Sequence, residues 1–423
     1  MLKSLAAVLA ASVLATPALA DTVVVTAKRM LDVDSGRMLD DPLVVITDGR
    51  IASVVTRNGG RPNIPANARR IDLGEATILP GLIDMHVHLT SNPKYGGYSR
   101  YQFTDGFWLA QGVGNAERTL RAGFTTVRNV GSDRYDDVAL KQAVDEGWIT
   151  GPRIVPAAHA LGATGGHCDE TFLPPSYDRK SPAMGDSPDE LRKRVREQRK
   201  YGAEAIKVCA TGGVFSRNTA PGVQQLREDE LRAVAEEAHF WKLKTAAHAH
   251  GADGIKAAIR AGIDTIEHVS FIDAEGIALA KRQGTWLGFD VYNTDYTLSE
   301  GAKNGVLPEN IAKERAVGTL QRENFRAAAK AGAPMIYSTD AGIYPHGDNA
   351  RQFAVMVRFG LSPIDAIRSA TTNAAQALGR TADVGSIQVG RYGDLVAVAG
   401  DPLADVTLLE RPVAVIKGGE RVR

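Results

Sequence analysis

Four clusters of the chain place a histidine, lysine or aspartate at the end of a short apolar run. The six residues in these clusters are His86, His88, Lys207, His248, His268 and Asp340. Imidazole nitrogens and carboxylate oxygens are ligands that zinc and similar divalent ions take from proteins. The set therefore predicts a centre for two divalent metal ions. Such ions lower the pKa of a bound water, so the predicted chemistry is hydrolysis.

Two pairs of histidines lie two residues apart, which puts both members of a pair on one side of a strand. His86 and His88 form the first pair and are both predicted to be ligands. His248 and His250 form the second pair and compete for one ligand position. We favour His248, because it leaves Gly251 to begin the next loop and helix, and we place His250 beside the site.

Lys207 is unusual because it lies inside an apolar run, AEAIKVCATGG, where a charged side chain is normally avoided. Burial disfavours the charged form of a lysine, and a neutral amine can react with carbon dioxide to give an anionic carbamate. Such an N6-carboxylated Lys207 could bridge two metal ions. The alternative is an ordinary buried ion pair with Glu204 or Glu267.

Apolar runs alternate with helical patterns through the centre of the chain. The predicted strands are 78–88, 125–131, 153–159, 204–210, 244–250, 264–270, 285–292 and 334–340. The clearest helical patterns are 188–201, 227–242, 251–261 and 309–332, and a further helix is expected from Ser362 to about Leu378. Eight such units predict an α/β fold, a (β/α)8 TIM barrel over residues 79–379. A doubly wound open sheet is the competing fold, although no glycine-rich phosphate loop supports it.

Both ends of the chain differ from the centre in amino-acid composition. Residues 21–78 and 380–423 are rich in β-branched residues and turn signals, which predicts short antiparallel strands. We expect these two segments to form one small composite β-sandwich domain.

Residues 1–20 carry one charge, Lys3, then an apolar run and the triplet Ala18-Leu19-Ala20. This pattern predicts a secretory signal peptide cut before Asp21, whereas a membrane anchor needs about 20 apolar residues. We therefore expect an exported protein, periplasmic or secreted, with no membrane attachment after cleavage. A net charge of +1 offers no basic surface for nucleic acid.

The chain has two cysteines, Cys168 and Cys209, which excludes a disulfide-rich scaffold. A disulfide is conceivable in an oxidising compartment. We favour two free buried thiols.

Several segments resemble signatures of the amidohydrolase superfamily over about residues 22–420. They are PGLIDMHVHL, AAHAHG, IEHVS, STDAG and GDLVAVAGDPL. TGGHCD (164–169) and PHGDN (345–349) resemble more narrowly the branch with imidazolonepropionase-like proteins, prolidases, Xaa-Arg/Lys carboxypeptidases and ochratoxinase. Two residues depart from the pattern, Asn129 where many relatives carry Asp and Cys168 where Gly is usual.

The resemblance implies roles for the individual residues. His86 and His88 would bind one zinc ion, His248 and His268 the other, carboxylated Lys207 would bridge them, and Asp340 would be both ligand and base. His167 or Tyr292 would stabilise the oxyanion formed by attack of the metal-activated hydroxide. Arg217 would bind a substrate carboxylate, or else be a solvated loop residue, and His346 would do similar work or cap a loop.

The preferred function is hydrolysis of an amide bond to a C-terminal amino acid, in a dipeptide or an N-acyl amino acid, with ochratoxin-type amides included. The alternative is a cyclic-amide hydrolase such as imidazolonepropionase, which the signal peptide disfavours because histidine breakdown is cytoplasmic. A non-catalytic scaffold is a third possibility, but it would be expected to lose ligands and all six are present. The resemblance also suggests a homo-oligomer.

Overall fold

The computed structural model describes residues 21–57, 59–60 and 62–423. The predicted signal peptide, residues 1–20, lies outside the described residues. Within the described residues, no helix combines the length and the apolar character needed to cross a membrane.

The strands of the described chain follow in sequence order. They are β1 (Thr22–Thr26), β2 (Arg29–Asp32), β3 (Arg37–Asp40), β4 (Leu43–Thr47), β5 (Arg50–Val55), β6 (Arg69–Asp72), β7 (Thr77–Pro80), β8 (Leu82–Val87), β9 (Phe124–Asn129), β10 (Arg153–Pro156), β11 (Ala205–Cys209), β12 (Lys244–Ala249), β13 (Thr265–His268), β14 (Trp286–Phe289), β15 (Met335–Tyr337), β16 (Leu395–Val398), β17 (Ala414–Lys417) and β18 (Glu420–Arg421).

The α-helices fall mainly between the central strands. They are α1 (Asp105–Arg121), α2 (Asp136–Asp145), α3 (Pro188–Lys200), α4 (Glu228–Phe240), α5 (Ala252–Ala261), α6 (Ala274–Gln283), α7 (Asn293–Glu300), α8 (Pro308–Lys330), α9 (Arg351–Arg358), α10 (Pro363–Ser369) and α11 (Thr372–Ala377).

The central strands β8 to β15 run parallel in two sheets, a three-stranded one (β10-β9-β8) and a five-stranded one (β11 to β15). Hydrogen bonds connect the edges of the two sheets. Leu161 N donates to Lys207 O at 2.8 Å on one side, and His88 N donates to Ala341 O at 2.8 Å on the other. The carboxyl ends of all these strands therefore meet, as the predicted strand positions require.

Local sequence signals begin and end the intervening helices. Ser187 caps α3 by accepting a hydrogen bond from Glu190 N, Pro188 occupies the first turn, and acidic residues there complement the helix dipole. α5 ends at Gly262, which adopts a left-handed conformation (φ 92°) that favours glycine. The apolar sides of the helices pack with the parallel strands into one large core.

The two ends of the chain form two further sheets, a four-stranded one (β5-β4-β1-β6) and a six-stranded one (β18-β17-β16-β7-β2-β3). Val25, Ile46, Ile78 and Leu395 belong to one buried cluster that joins the two sheets. The sheets are mixed and not purely antiparallel as expected, because β1 pairs with β6, and β2 with β7, in parallel.

Two predicted elements are each divided in the structure. The run 78–88 splits at Gly81, where an added Cβ would clash with the Thr125 side chain. Its first half is β7 of the six-stranded sheet. The first segment of the β-rich domain therefore ends at Pro80, after the boundary predicted at residue 78. The helix expected from Ser362 to Leu378 breaks at Thr371, whose backbone (φ −135°, ψ −96°) is not helical.

Candidate active site

A cavity of about 240 Å³ lies at the carboxyl ends of the parallel strands. It is lined by all six predicted metal ligands, which come from β8 and the residue after it, β11, β12, β13 and the loop after β15. His167, Cys168, His250, Asp290, Asn293, Glu314 and Gln321 complete most of its polar wall. The structure thus brings together side chains that are more than 250 positions apart in sequence, from His86 to Asp340.

One potential ligand group consists of His86, His88 and Asp340. The Nε2 atoms of both histidines lie 3.3 Å from Asp340 Oδ1. Burial alone would raise the pKa of the Asp340 carboxyl, but the two imidazoles hold this pKa well below its usual range. Asp340 is therefore an ionised carboxylate between two imidazoles and can only accept hydrogen bonds.

A second group consists of His248, His250 and His268, and a third of His268, Asp290 and Asp340. In each group the ligating atoms lie within 4.8 Å of one another. Burial holds the pKa values of His248 and His250 well below the usual range, so both imidazoles are neutral, the form that binds metals. Both line the cavity, so their placement alone does not choose between them as the fifth-strand ligand.

Lys207 faces the same cavity and is almost entirely buried. Within the described part of the chain its amine makes no hydrogen bond or ion pair. Neither alternative partner holds it, because Glu204 pairs with Lys141 and Glu267 pairs with Arg128. Burial lowers the pKa of Lys207 to about 8, which favours the neutral amine that carboxylation needs.

These donors fit a pair of divalent metal ions. Two imidazoles with one carboxylate, and two or three imidazoles nearby, are donor sets suited to zinc. Asp340 belongs to the first and third groups, and His268 belongs to the second and third. The third group, which also contains Asp290, therefore connects the other two. The unpaired amine of Lys207 opens onto the same space, where a bridging oxygen donor would be needed.

Buried polar side chains behind the histidines fix their orientation. His86 Nδ1 lies 3.2 Å from Glu267 Oε2, and His268 Nδ1 lies 3.0 Å from Asp290 Oδ2. Asn293 Nδ2 donates to Asp290 at 2.7 Å and to Asp340 at 3.1 Å. Such carboxylate partners set the tautomer of a metal-binding imidazole and leave its other nitrogen free for the metal.

Sequence reasoning gave none of these supporting residues a role in orienting a histidine. The available signal was a charged residue within an apolar strand, which Arg128 in β9 and Glu267 in β13 both provide. Asn129, noted as a departure from the family pattern, accepts a hydrogen bond from Leu89 N and donates one to Asp137. It does not line the cavity.

Two of the predicted ligands have left-handed backbones. His268 has φ 72° and Asp340 has φ 58°, and Val269 beside His268 has φ 55°. This conformation costs about 1–3 kcal/mol for residues other than glycine and is concentrated at functional sites. Here it turns the chain sharply where a ligand side chain meets the cavity.

The predicted substrate-binding residues divide into two sets. His167 lines the cavity, stacks on His248 with ring centroids 4.0 Å apart and contacts Ser216 Oγ at 2.8 Å. Burial lowers its pKa to about 3, so it is neutral. Arg217, Tyr292 and His346 do not line this cavity, and a loop role for Arg217 and His346 was the other interpretation of the sequence.

Each of these three side chains makes contacts elsewhere that keep it out of the cavity. Arg217 binds Glu309 and the Tyr98 hydroxyl near the surface. The Tyr292 ring packs edge-on against Tyr344. His346 lies behind the site, between Thr119 Oγ1 (3.1 Å) and the His88 carbonyl oxygen (3.0 Å), so it supports a ligand strand.

Cys168 and Cys209 form a disulfide, which corrects the preference for free thiols. Their Cα atoms are 5.8 Å apart, within the range that a disulfide spans. The pairing arises because Cys209 ends β11 two residues after Lys207 and the His167 loop folds back over that strand end. The bond therefore ties the loop carrying His167 to the strand carrying Lys207.

A second cavity of about 340 Å³ adjoins the first on its outer side. The two share Ser91, Gly131, Ala160, Cys168, Phe215 and Ile343. Aromatic side chains form much of the outer wall, among them Tyr95, Trp108, Phe172 and Tyr296. The two cavities therefore give a substrate room to extend from the ligand groups past aromatic side chains.

Residues 77–422 match the amidohydrolase family. The chain belongs to this family. It is accordingly a hydrolase acting on C–N bonds, and the family fold is a TIM barrel with a β-rich domain.

Comparison with individual proteins confirms the expected branch. The chain is 32% identical to ochratoxinase of Aspergillus niger over 414 residues, covering 91% of this chain and 83% of the relative. A solved Xaa-Pro dipeptidase with bound methionine in its active site is 32% identical, with a TM-score of 0.88 over 95% of this chain and 99% of that one. Imidazolonepropionase of Streptomyces avermitilis is 26% identical, covering 91% of this chain and 88% of the relative.

Proposed function

We propose that this amidohydrolase is an exported enzyme with two zinc ions that releases a C-terminal amino acid from a dipeptide or an N-acyl amino acid. Ochratoxin-type amides fall within this class. The observation that carries the proposal is the convergence of two imidazole-rich donor groups and the unpaired Lys207 amine on one cavity. The similarity to ochratoxinase and to a Xaa-Pro dipeptidase supports the substrate class.

His86 and His88 with Asp340 would hold one metal ion, and His268 with His248 or His250 would hold the other. N6-carboxylated Lys207 would bridge them. When bound, such ions supply Lewis acidity toward the substrate carbonyl and lower the pKa of a water molecule.

The protein's own groups supply the proton transfers and the orientation of the site. Asp340 is ionised and accepts a proton from the attacking water, then returns it to the leaving nitrogen. Asn293 donates to Asp340 Oδ2 at 3.1 Å and keeps the other oxygen turned toward the histidines. His167 is neutral and lines the cavity, so it can donate a hydrogen bond to the oxygen of the tetrahedral intermediate.

We also propose that the three-stranded and five-stranded parallel sheets form one closed (β/α)8 barrel. The hydrogen bonds from Leu161 N and His88 N across the two pairs of sheet edges support closure. Active sites of such barrels lie at the carboxyl ends of the strands, which is where the donor groups converge.

Export to the periplasm or the medium rests on the signal-like residues 1–20. The Cys168–Cys209 disulfide is compatible with an oxidising compartment and supports the same proposal. Detection of the mature protein in the periplasm or the medium, beginning at Asp21, tests it. A homo-oligomer remains an expectation that size-exclusion chromatography with light scattering would test.

A substrate panel tests the activity. Zinc-loaded enzyme is assayed with Xaa-Pro and Xaa-Lys dipeptides, N-acyl amino acids, ochratoxin and imidazolone propionate. We expect release of the C-terminal amino acid from members of the first groups. Turnover of imidazolone propionate alone would overturn the proposal in favour of a cyclic-amide hydrolase, the activity named for the Streptomyces relative.

A further inference from the structure

Glu314 is a buried acid on the wall of the catalytic cavity, and the proposed mechanism leaves it unused. It belongs to α8, lines the cavity and is only 5% exposed. The Thr294 hydroxyl donates to its Oε1 atom at 2.6 Å. Among the described residues no hydrogen bond or ion pair reaches its second oxygen, Oε2, so this oxygen is a free acceptor.

Glu314 has no ion-pair partner among the described side chains. Asp290, Glu314 and Asp340 all line the cavity, and Lys207, the one lysine in its lining, makes no ion pair with Glu314. Arg322, whose charge partly offsets the rise in the pKa of Glu314, pairs with Asp295 and donates to the Val291 carbonyl. Burial raises the pKa of Glu314 to about 7, as expected for a carboxylate that lacks a counterion.

Glu314 is not part of the predicted metal centre. Within the described residues it belongs to none of the groups whose ligating atoms lie close enough to share an ion. It is nevertheless connected to the centre, because its partner Thr294 follows Asn293, and Asn293 donates to Asp340. The free acid and the proposed proton acceptor therefore line one cavity and are linked through two adjacent residues of α7.

We propose that Glu314 binds the free ammonium group of the substrate. This inference rests on the proposed function and narrows it to unprotected dipeptides, in preference to N-acylated amino acids. In a dipeptide the ammonium nitrogen is separated from the scissile carbonyl by a single carbon atom, so its binding partner must lie beside the reacting groups. An N-acyl group removes that charge and leaves Glu314 without a partner, which penalises the acylated substrate.

Kinetic selectivity provides the first test. We would compare kcat/KM for L-alanyl-L-proline and its N-acetyl derivative, in the wild type and in Glu314→Gln. The glutamine keeps the size and the Thr294 contact but cannot carry the negative charge. We expect the ratio of the two kcat/KM values, free over acetylated, to fall about 10- to 100-fold, the worth of one charged hydrogen bond. An unchanged ratio would overturn the inference.

Two further variants separate recognition from a structural effect. Glu309→Gln changes the same residue type on the same helix, at the surface beside Arg217, and should leave the ratio unchanged. Glu314→Asp keeps the charge on a shorter side chain and should restore part of the selectivity. A purely structural role would change both substrates equally in every Glu314 variant.

Binding provides a second test that needs no turnover. L-Methionine and 4-(methylthio)butanoate differ only in the ammonium group, and neither has a scissile amide. Calorimetry on the zinc-loaded protein should show tighter binding of methionine, by about 10-fold or more, and Glu314→Gln should abolish the difference. Equal binding of the two compounds to the wild type would reject the inference. Failure to hydrolyse any amide, with this difference intact, would reject only the proposed function.

Discussion

Arg128 Nη2 lies 2.6 Å from Glu267 Oε1, and neither side chain is exposed to solvent. Arg128 also donates to the Met85 carbonyl oxygen, next to His86 in the chain. The second carboxylate oxygen of Glu267 contacts His86 Nδ1 at 3.2 Å. A buried ion pair beneath the cavity therefore sets the direction in which one ligand imidazole faces.

Glu267→Gln should weaken zinc binding about 10- to 100-fold, because the amide cannot replace a carboxylate that accepts from both Arg128 and His86. Chelator competition measures the dissociation constant. Glu236→Gln, at the surface beside Arg192, is the matched control. Unchanged zinc affinity in Glu267→Gln would show that His86 is oriented without Glu267.

Gly288→Ala should reproduce this loss of zinc affinity without replacing a polar side chain. A Cβ at residue 288 would lie 2.7 Å from Glu267 Oε2 and would also clash with Ser338. The displaced carboxylate would lose its contact with His86, so zinc affinity should fall in the same direction as in Glu267→Gln. Retention of full affinity would mean that the site accommodates the methyl group by moving Ser338 alone.

Lys207→Ala should reduce bound zinc from about two ions per chain to one or fewer, because the proposed bridging oxygen donor is lost. Elemental analysis after extensive dialysis measures the zinc content. Lys303→Ala removes an exposed lysine and should leave the content unchanged. A normal zinc content in Lys207→Ala would refute the carboxylated bridge.

Asp137 should make the wild type less stable as the pH rises from about 4 to about 6. Its burial raises its pKa to about 6, above the value of about 3.9 expected in the unfolded chain. Between these values the folded state binds more protons than the unfolded state, so the free energy of unfolding falls with increasing pH. The full effect is about 3 kcal/mol.

Denaturant titrations at several pH values would measure this effect. Asp137→Asn should remove the Asp137 share of this slope between pH 4 and 6 and leave the share of Asp84, whose pKa burial also raises to about 6. Asp189→Asn makes the same change at an exposed position and is the control. A wild-type slope retained in Asp137→Asn would assign the pH dependence to another group.

Reduction of the Cys168–Cys209 disulfide should lower the melting temperature of the protein. The bond joins residues 41 positions apart, and a loop of that length corresponds to about 4 kcal/mol in the chain-entropy description. The double variant Cys168→Ala/Cys209→Ala should melt at a lower temperature and show no response to reductant. A wild type equally stable with and without reductant would contradict this prediction.

The sequence predicted the parallel strands well because each is a short apolar run ended by a polar residue. The placement of the proposed ligands on one cavity followed from the same pattern, since His88 and Asp340 come directly after, or close to, the end of such a run. The supporting pairs did not follow, because the partner of Glu267 in β13 is Arg128 in β9, and the contact depends on the curvature of the sheets.

Loop geometry explains the remaining differences between the sequence-based predictions and the structure. Arg217 was interpreted as either a substrate ligand or a solvated loop residue, and its loop directs it toward Glu309 on α8, a contact that no spacing in sequence indicates. The disulfide likewise depends on where the loop after β10 folds back. Tertiary placement of loops, more than the strands, decided which predicted residues reached the cavity.

Strand β7 lies between β2, near one end of the chain, and β16, near the other. During synthesis, the six-stranded sheet that contains β2 and β7 therefore cannot be completed until β16 has been made. A polypeptide released before Leu395 would present β7 with an open edge, which can pair with another unfinished chain. Premature termination should thus yield aggregates, even though every proposed metal ligand has already been made.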